Sequence, residues 1–143
     1  MVNVDWDGNG GSDFTLAVSS DVLLTAGDFS YASGEVAARI LLGAAEPPSA
    51  IIASNDQMAL ATLEVARQRG ITVPDQLSLI SFDNTPLVHF TQPPLTAVDQ
   101  PIAATASKAV ELIIAAQKGE APPQALTVIS AAMVERGSVA PHG

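Results

Sequence analysis

The side chains best suited to meet a ligand come in two pairs. Asn55-Asp56 follows the apolar run Ala50-Ile51-Ile52-Ala53 after one serine, and Asp83-Asn84 follows a second run, Leu77 to Phe82. An amide both donates and accepts; a carboxylate only accepts, and can take two hydroxyls at once. Such groups suit a ligand with polar edges that both donate and accept. Support for catalysis is poor. The histidines are His89 and His142, and neither sits in a triad or a metal-ligand spacing. Ser54 lacks the G-x-S-x-G elbow. Gly8-Asn9-Gly10-Gly11 lacks the Lys-Ser/Thr that completes a phosphate loop. There is no cysteine, which excludes thiolate catalysis and disulfides. The chain reads as a binding module without a cofactor, and not as an enzyme.

The elements around the pairs explain why they would meet. Between them, Gln57 to Arg69 carries Met58, Leu60, Leu63, Val65 and Ala66 at helical spacing, and Gly70 ends the pattern. Asp56 is expected as the N-cap, its carboxylate accepting from free N–H groups of the first turn. Strand, helix and strand in that order demand parallel strands and a right-handed crossover. Ligands of open parallel sheets bind beyond the carboxyl ends of the strands, where both pairs stand. Upstream, Val22 to Thr25 reads as a strand and Ser33 to Leu42 as a helix stopped by Gly43. Strands near 22–25, 50–53 and 77–82 would then share one parallel sheet, a Rossmann-like α/β arrangement. Downstream, Pro93 to Val98 is extended, and Pro101 opens a helix over 102–117 with Ile102, Val110, Ile113 and Ile114 as apolar positions. A last strand-like run covers 125–134.

The 143 residues fit one domain. Six Lys and Arg against 15 Asp and Glu leave a net charge of −9, unfavourable for sequence-independent nucleic-acid binding. The start has acids where a signal peptide needs a basic end and an apolar run, and no stretch is apolar for long enough to span a membrane; a cytoplasmic location is the default. Residues 1–20 stand apart as an Asp/Gly-rich segment. Asp5, Asp7, Asn9, Gly10 and Asp13 follow D-x-D-x-N-G-x-x-D, which would place several oxygens on a tight turn, as calcium requires. It is not an EF-hand, because Leu16 stands where the bidentate Glu belongs. The loop resembles that of FG-GAP and VCBS repeats, including the apolar strand from Phe14 to Val18. The alternative is a solvated terminus.

Five further stretches carry a family resemblance. They are Gly27-Asp28-Phe29-Ser30 followed by Gly34; Ala53 to Ala59, on the pattern A-x-N-D-x-M-A; and Val73-Pro74-Asp75 with Ser81 to Asn84, where Ser81 replaces a patterned Gly. Then come Pro93 to Val98 followed by Gln100, on P-P-L-T-T-V-x-Q, and Val134 to Ser138, on V-x-R-x-S-T. In order and spacing the chain resembles the C-terminal part of a LacI/GalR-family transcription regulator. The resemblance implies a periplasmic-binding-protein-like (type I) fold of two lobes with an effector between them, here incomplete. Residues 21–143 would be the C-terminal effector-binding lobe, and 102–117 the helix that packs on the other lobe. It implies ligand-binding roles for Phe29, Asn55, Asp83 and Gln100, with Phe29 stacking on a sugar or base face. It implies a small-molecule, sugar-like effector and a homodimer, formed through the helix holding Leu60 and the loop with Leu87, Val88 and Phe90. The parent protein would bind operator DNA through a helix-turn-helix that this chain lacks. Plainer roles compete: Asn55 and Asp56 as helix caps, Asp83 as a turn cap, Phe29 as a core or lip residue, Gln100 as the residue before Pro101. A fragment of a periplasmic sugar-binding protein is the alternative, opposed by the Asn55 to Ala59 and Arg136 to Ser138 matches.

Overall fold

The computed structural model describes residues 2–4, 14–16, 26–120 and 127–141. Strands β1 (Val2–Val4) and β2 (Phe14–Leu16) pair antiparallel, Val4 opposite Phe14. The loop bearing Asp5, Asp7, Asn9 and Asp13 lies outside the described residues, as does the strand expected at 22–25. Helix α1 spans Tyr31–Leu41, two residues earlier at its start than its apolar spacing suggests. A serine pair moves the boundary. Ser30 is extended and its Oγ accepts from Ser33 N–H at 3.2 Å, while Ser30 N–H donates to Ser33 Oγ at 3.0 Å. This reciprocal cap satisfies donors that a helix start leaves free.

Strand β3 (Ala50–Ile52) leads into α2 (Asp56–Gln68), and the chain returns through β4 (Ser78–Asp83). A buried Val88 and an extended stretch follow before β5 (Thr96–Asp99), α3 (Ile102–Gln117) and β6 (Ala132–Val134). The sheet order is β3-β4-β5-β6. The first two pairings are parallel and β5–β6 is antiparallel. The expected α/β architecture is therefore present. Of the expected run 125–134, residues 125 and 126 lie outside the described residues, and over the rest the strand begins only at Ala132, for a geometric reason. Ala132 already faces Asp99, the final residue of β5, so residues before 132 would have to pair where the chain turns into α3.

Helices α1 and α2 cover the sheet. Gly34, Ala38 and Leu42 form the buried stripe of α1. The glycine is required there: a Cβ at position 34 would lie 2.7 Å from Met58 Cα. Arg69, just past α2, donates to Leu42 O at 2.7 Å and Arg39 O at 3.0 Å, satisfying carbonyls that a helix end leaves open. One core cluster gathers Ala53, Ala59, Leu79, Val88, Leu95 and Ala97; the other gathers Ala38, Leu42, Val65, Ala66 and Leu77. Val88 thus belongs to the core, not to an exposed contact surface. The turn at Pro86–His89 points it inward and leaves Leu87 and Phe90 outside.

The C-terminal segment stitches the sheet. Ser138 is fully buried; its hydroxyl donates to Leu79 O and accepts from Thr96 N–H at 2.8 Å, and Leu79 N–H donates to Ser138 O at 2.8 Å. Helix α3 differs from the other helices. It contains no buried residue, and Ile102, Val110, Ile113 and Ile114 are 46–67% exposed. It does not fold back to hide this stripe.

Candidate ligand-binding site

Because β3, β4 and β5 run parallel, their carboxyl ends open on one edge of the sheet. Asn55 follows β3, Asp83 ends β4, and Gln100 follows β5. Three of the four expected ligand residues therefore come from three adjacent strands. The fourth, Phe29, is tied to the first of them: Asn55 Nδ2 donates to Phe29 O at 2.7 Å, and the Phe29 side of this contact is 45% exposed as a residue.

Asn55, and not Asp56, is the N-cap of α2. It is extended, with φ −158°, and its Oδ1 accepts from Met58 N–H at 2.9 Å. Each polar atom of its amide thus makes one internal bond and keeps capacity for one more. Asp56 is the first helical residue and is buried. Its Oδ1 accepts from Ser81 Oγ at 2.7 Å and its Oδ2 from Thr85 N–H at 2.7 Å. The hydroxyl of Ser81, the departure from the family pattern, is thereby accounted for. Asp56 serves as an internal anchor and is not offered to solvent.

Asp83 is half-buried and accepts from Gln100 Nε2 at 2.7 Å through Oδ1. No described residue donates to its Oδ2. The Gln100 side chain is exposed and retains an acceptor oxygen. The pair can thus present acceptors and a donor side by side, the combination that vicinal hydroxyls require. Backbone at Asp83 and Asn84 is left-handed, with φ 97° and 59°. Arg136 packs against this turn: Nη2 donates to Asn84 Oδ1 at 2.6 Å and lies 2.9 Å from His89 Nε2, while Nη1 donates to Leu95 O at 2.5 Å. Arg136 had no assigned role in the sequence; the available signal was its place in the terminal V-x-R-x-S stretch.

Two grooves lie elsewhere. One, of about 380 Å³, runs between Leu60, Leu63, Arg67, Ile71 and Pro93. The other, of about 410 Å³, follows the free edge of β3 past Ile52, Pro74 and Val139. Neither includes Phe29, Asn55, Asp83 or Gln100. Glu64, beside the first groove, is held down to about 2 by hydrogen bonds from Arg67 and then Gln68. It is solvated and remote from the strand ends. Among the described residues no group of acids and histidines could hold a metal ion, and no helix is long and apolar enough to cross a membrane.

Residues 17–139 match a family described as a periplasmic binding protein-like domain. The repressor CytR of Escherichia coli K12 is 35% identical over 112 residues, which are 78% of this chain and 33% of CytR. The chain belongs to the periplasmic-binding-protein-like family of LacI/GalR-type regulators. It spans about a third of the length of the curated relatives it matches. Among solved structures, this LacI-type chain superposes on a LacI-family regulator from Bifidobacterium animalis subsp. lactis with a TM-score of 0.75. That match has 33% identity and covers 80% of this chain and 42% of that one. It is also similar to the transcriptional regulator CelR in complex with cellobiose, at TM-score 0.70 and 31% identity, covering 77% and 34%. The relatives carry names of transcriptional repressors and regulators.

Proposed function

We propose that this chain is the effector-sensing C-terminal lobe of a LacI-type transcription regulator, and that its effector is a sugar or a similarly hydroxylated metabolite. The observation that carries this reading is the meeting of Asn55, Asp83 and Gln100 at three adjacent strand ends, beside the half-exposed Phe29. A ring face against Phe29 and hydroxyls against Asp83, Gln100 and Asn55 would use the apolar and polar surfaces of a sugar together. The cellobiose complex of a similar regulator supports a carbohydrate class.

The lobe would act by closing on its effector against a second lobe. Closure changes the relation of the lobes and so biases DNA-binding heads carried elsewhere in the parent protein. The bare stripe on α3 is the face for that second lobe. Dimerisation would use α2 near Leu60 with Leu87 and Phe90, which are 61% and 86% exposed. With net charge −9, this lobe by itself is unsuited to holding DNA, and its place of action is the cytoplasm.

One wall buries only part of a small ligand, so affinity for the lobe alone is expected near millimolar, about 4 kcal/mol. Calorimetry with common hexoses, pentoses and cellobiose, on the chain joined to a LacI-type N-terminal lobe, tests the reading. Tighter binding that Asp83→Ala abolishes is the expected result. Binding indifferent to Asp83→Ala would contradict it.

A further inference from the structure

Asp83 and Asn84 are successive non-glycine residues with φ of 97° and 59°, a region that side-chain-bearing residues seldom occupy. Such backbone persists where its surroundings over-determine it. Two side chains from distant parts of the chain supply that constraint, one bracketing the turn and one gripping it from within. Buried Asp56 takes the Ser81 hydroxyl on one oxygen and the Thr85 N–H on the other, both at 2.7 Å. Arg136 holds Asn84 Oδ1 at 2.6 Å, with its other terminal nitrogen anchored on Leu95 O at 2.5 Å. Residues 81, 84 and 85 are therefore tied down by one carboxylate and one guanidinium. Among the described residues, the one side-chain hydrogen bond to the Asp83 carboxylate, between them, comes from Gln100.

We propose that Asp56 and Arg136 are positioning residues: together they hold the left-handed Asp83–Asn84 turn, and so set the direction in which the Asp83 carboxylate leaves the end of β4. The role presupposes Asp83 as an effector ligand, as proposed above, but the turn can be measured with no effector present. Each can be removed by a substitution that takes away its grip. Ala at 56 removes both acceptor oxygens and leaves the Thr85 N–H and the Ser81 hydroxyl without them. Lys at 136 replaces a rigid fork of donors with a single nitrogen and cannot reach Leu95 O and Asn84 Oδ1 in the same geometry.

The test is amide hydrogen exchange with backbone NMR on the whole chain and on Asp56→Ala and Arg136→Lys. Exchange at Thr85, whose N–H donates to Asp56, should quicken by about tenfold or more in Asp56→Ala, the factor that loss of one hydrogen bond to a charged group implies. The Cα resonances of Asp83 and Asn84 should move toward extended-backbone values. Ala53 and Val65 should exchange as before, because a purely structural role would instead raise exchange across the sheet and α2 together. If either variant fails to fold, Asn84→Ala removes the acceptor that Arg136 holds, leaves the core untouched, and is read in the same way. Unchanged resonances and exchange at 83–85, or changes spread evenly over the sheet, would overturn the proposal. Because no ligand enters the measurement, a failure here is distinct from a failure of Asp83 to bind effector.

Discussion

Ile113→Glu tests whether α3 is a face made for another lobe. Ile113 is 59% exposed, and α3 has no buried residue. Burying an isoleucine side chain fully is worth about 1.5–3 kcal/mol. With two fifths of the residue covered, the substitution can remove only about 0.6–1.2 kcal/mol of that. Glu is a slightly better helix former than Ile, while a negative charge near the helix C-terminus costs roughly 0.3–1 kcal/mol. The net loss should stay below about 2 kcal/mol, read by urea unfolding. At the same time the apolar stripe is broken, and exposed stripes of this kind drive association. Light scattering behind a sizing column at ~100 μM, well above the micromolar scale of weak association, should show less assembly than for the parent chain. A loss of more than about 3 kcal/mol, the scale of an isoleucine buried in full, would refute the reasoning. It would mean that α3 is covered by its own lobe.

Three stability predictions concern the frame. Ser138→Ala should cost about 1–3 kcal/mol in urea unfolding, because the buried Thr96 N–H loses its acceptor; an unchanged midpoint would contradict the stitching role. Gly34→Ala should destabilise by about 1–3 kcal/mol despite the better helix propensity of Ala, since its Cβ meets Met58 Cα. A more stable variant would mean that α1 and α2 do not approach so closely. Thr85→Val should be neutral or stabilising by up to about 1 kcal/mol, because the covered Thr85 hydroxyl has no partner among the described residues. A clear loss of melting temperature would show that the hydroxyl is bonded.

The strand-helix-strand unit around α2 was legible because two apolar runs each stop at a polar pair, and a periodic segment lies between them. Helix 102–117 was legible to the residue, since Pro101 opens it and Gly119, at φ 78°, closes it. What escaped depends on distant partners. Either member of Asn55-Asp56 suits a cap in isolation. Asp56 is claimed by donors 25 and 29 residues away, and Asn55 is left to cap. Val88 is one of several apolar residues in its loop, and only the fold decides which of them faces the core. The length of β6 is set by where β5 ends. Within the site, Asn55 and Asp83 could be read from strand ends, whereas Phe29 and Gln100 carry no local chemical signal and came from family resemblance alone. The part of Arg136 needs the third dimension, because Asn84, its partner, lies 52 residues earlier.

The most direct test of the effector-wall assignment is a two-dimensional ¹⁵N NMR titration of this chain with cellobiose and simple hexoses. Sugar at about 50 mM lies far above the ~1 mM dissociation constant expected of a single wall. The account predicts that shifts for at least one sugar gather at Phe29, Asn55, Asp83, Asn84 and Gln100, and weaken in Asp83→Ala. Shifts confined to the groove between Leu60 and Pro93 or to the free edge of β3, or no shifts with any sugar, would contradict it.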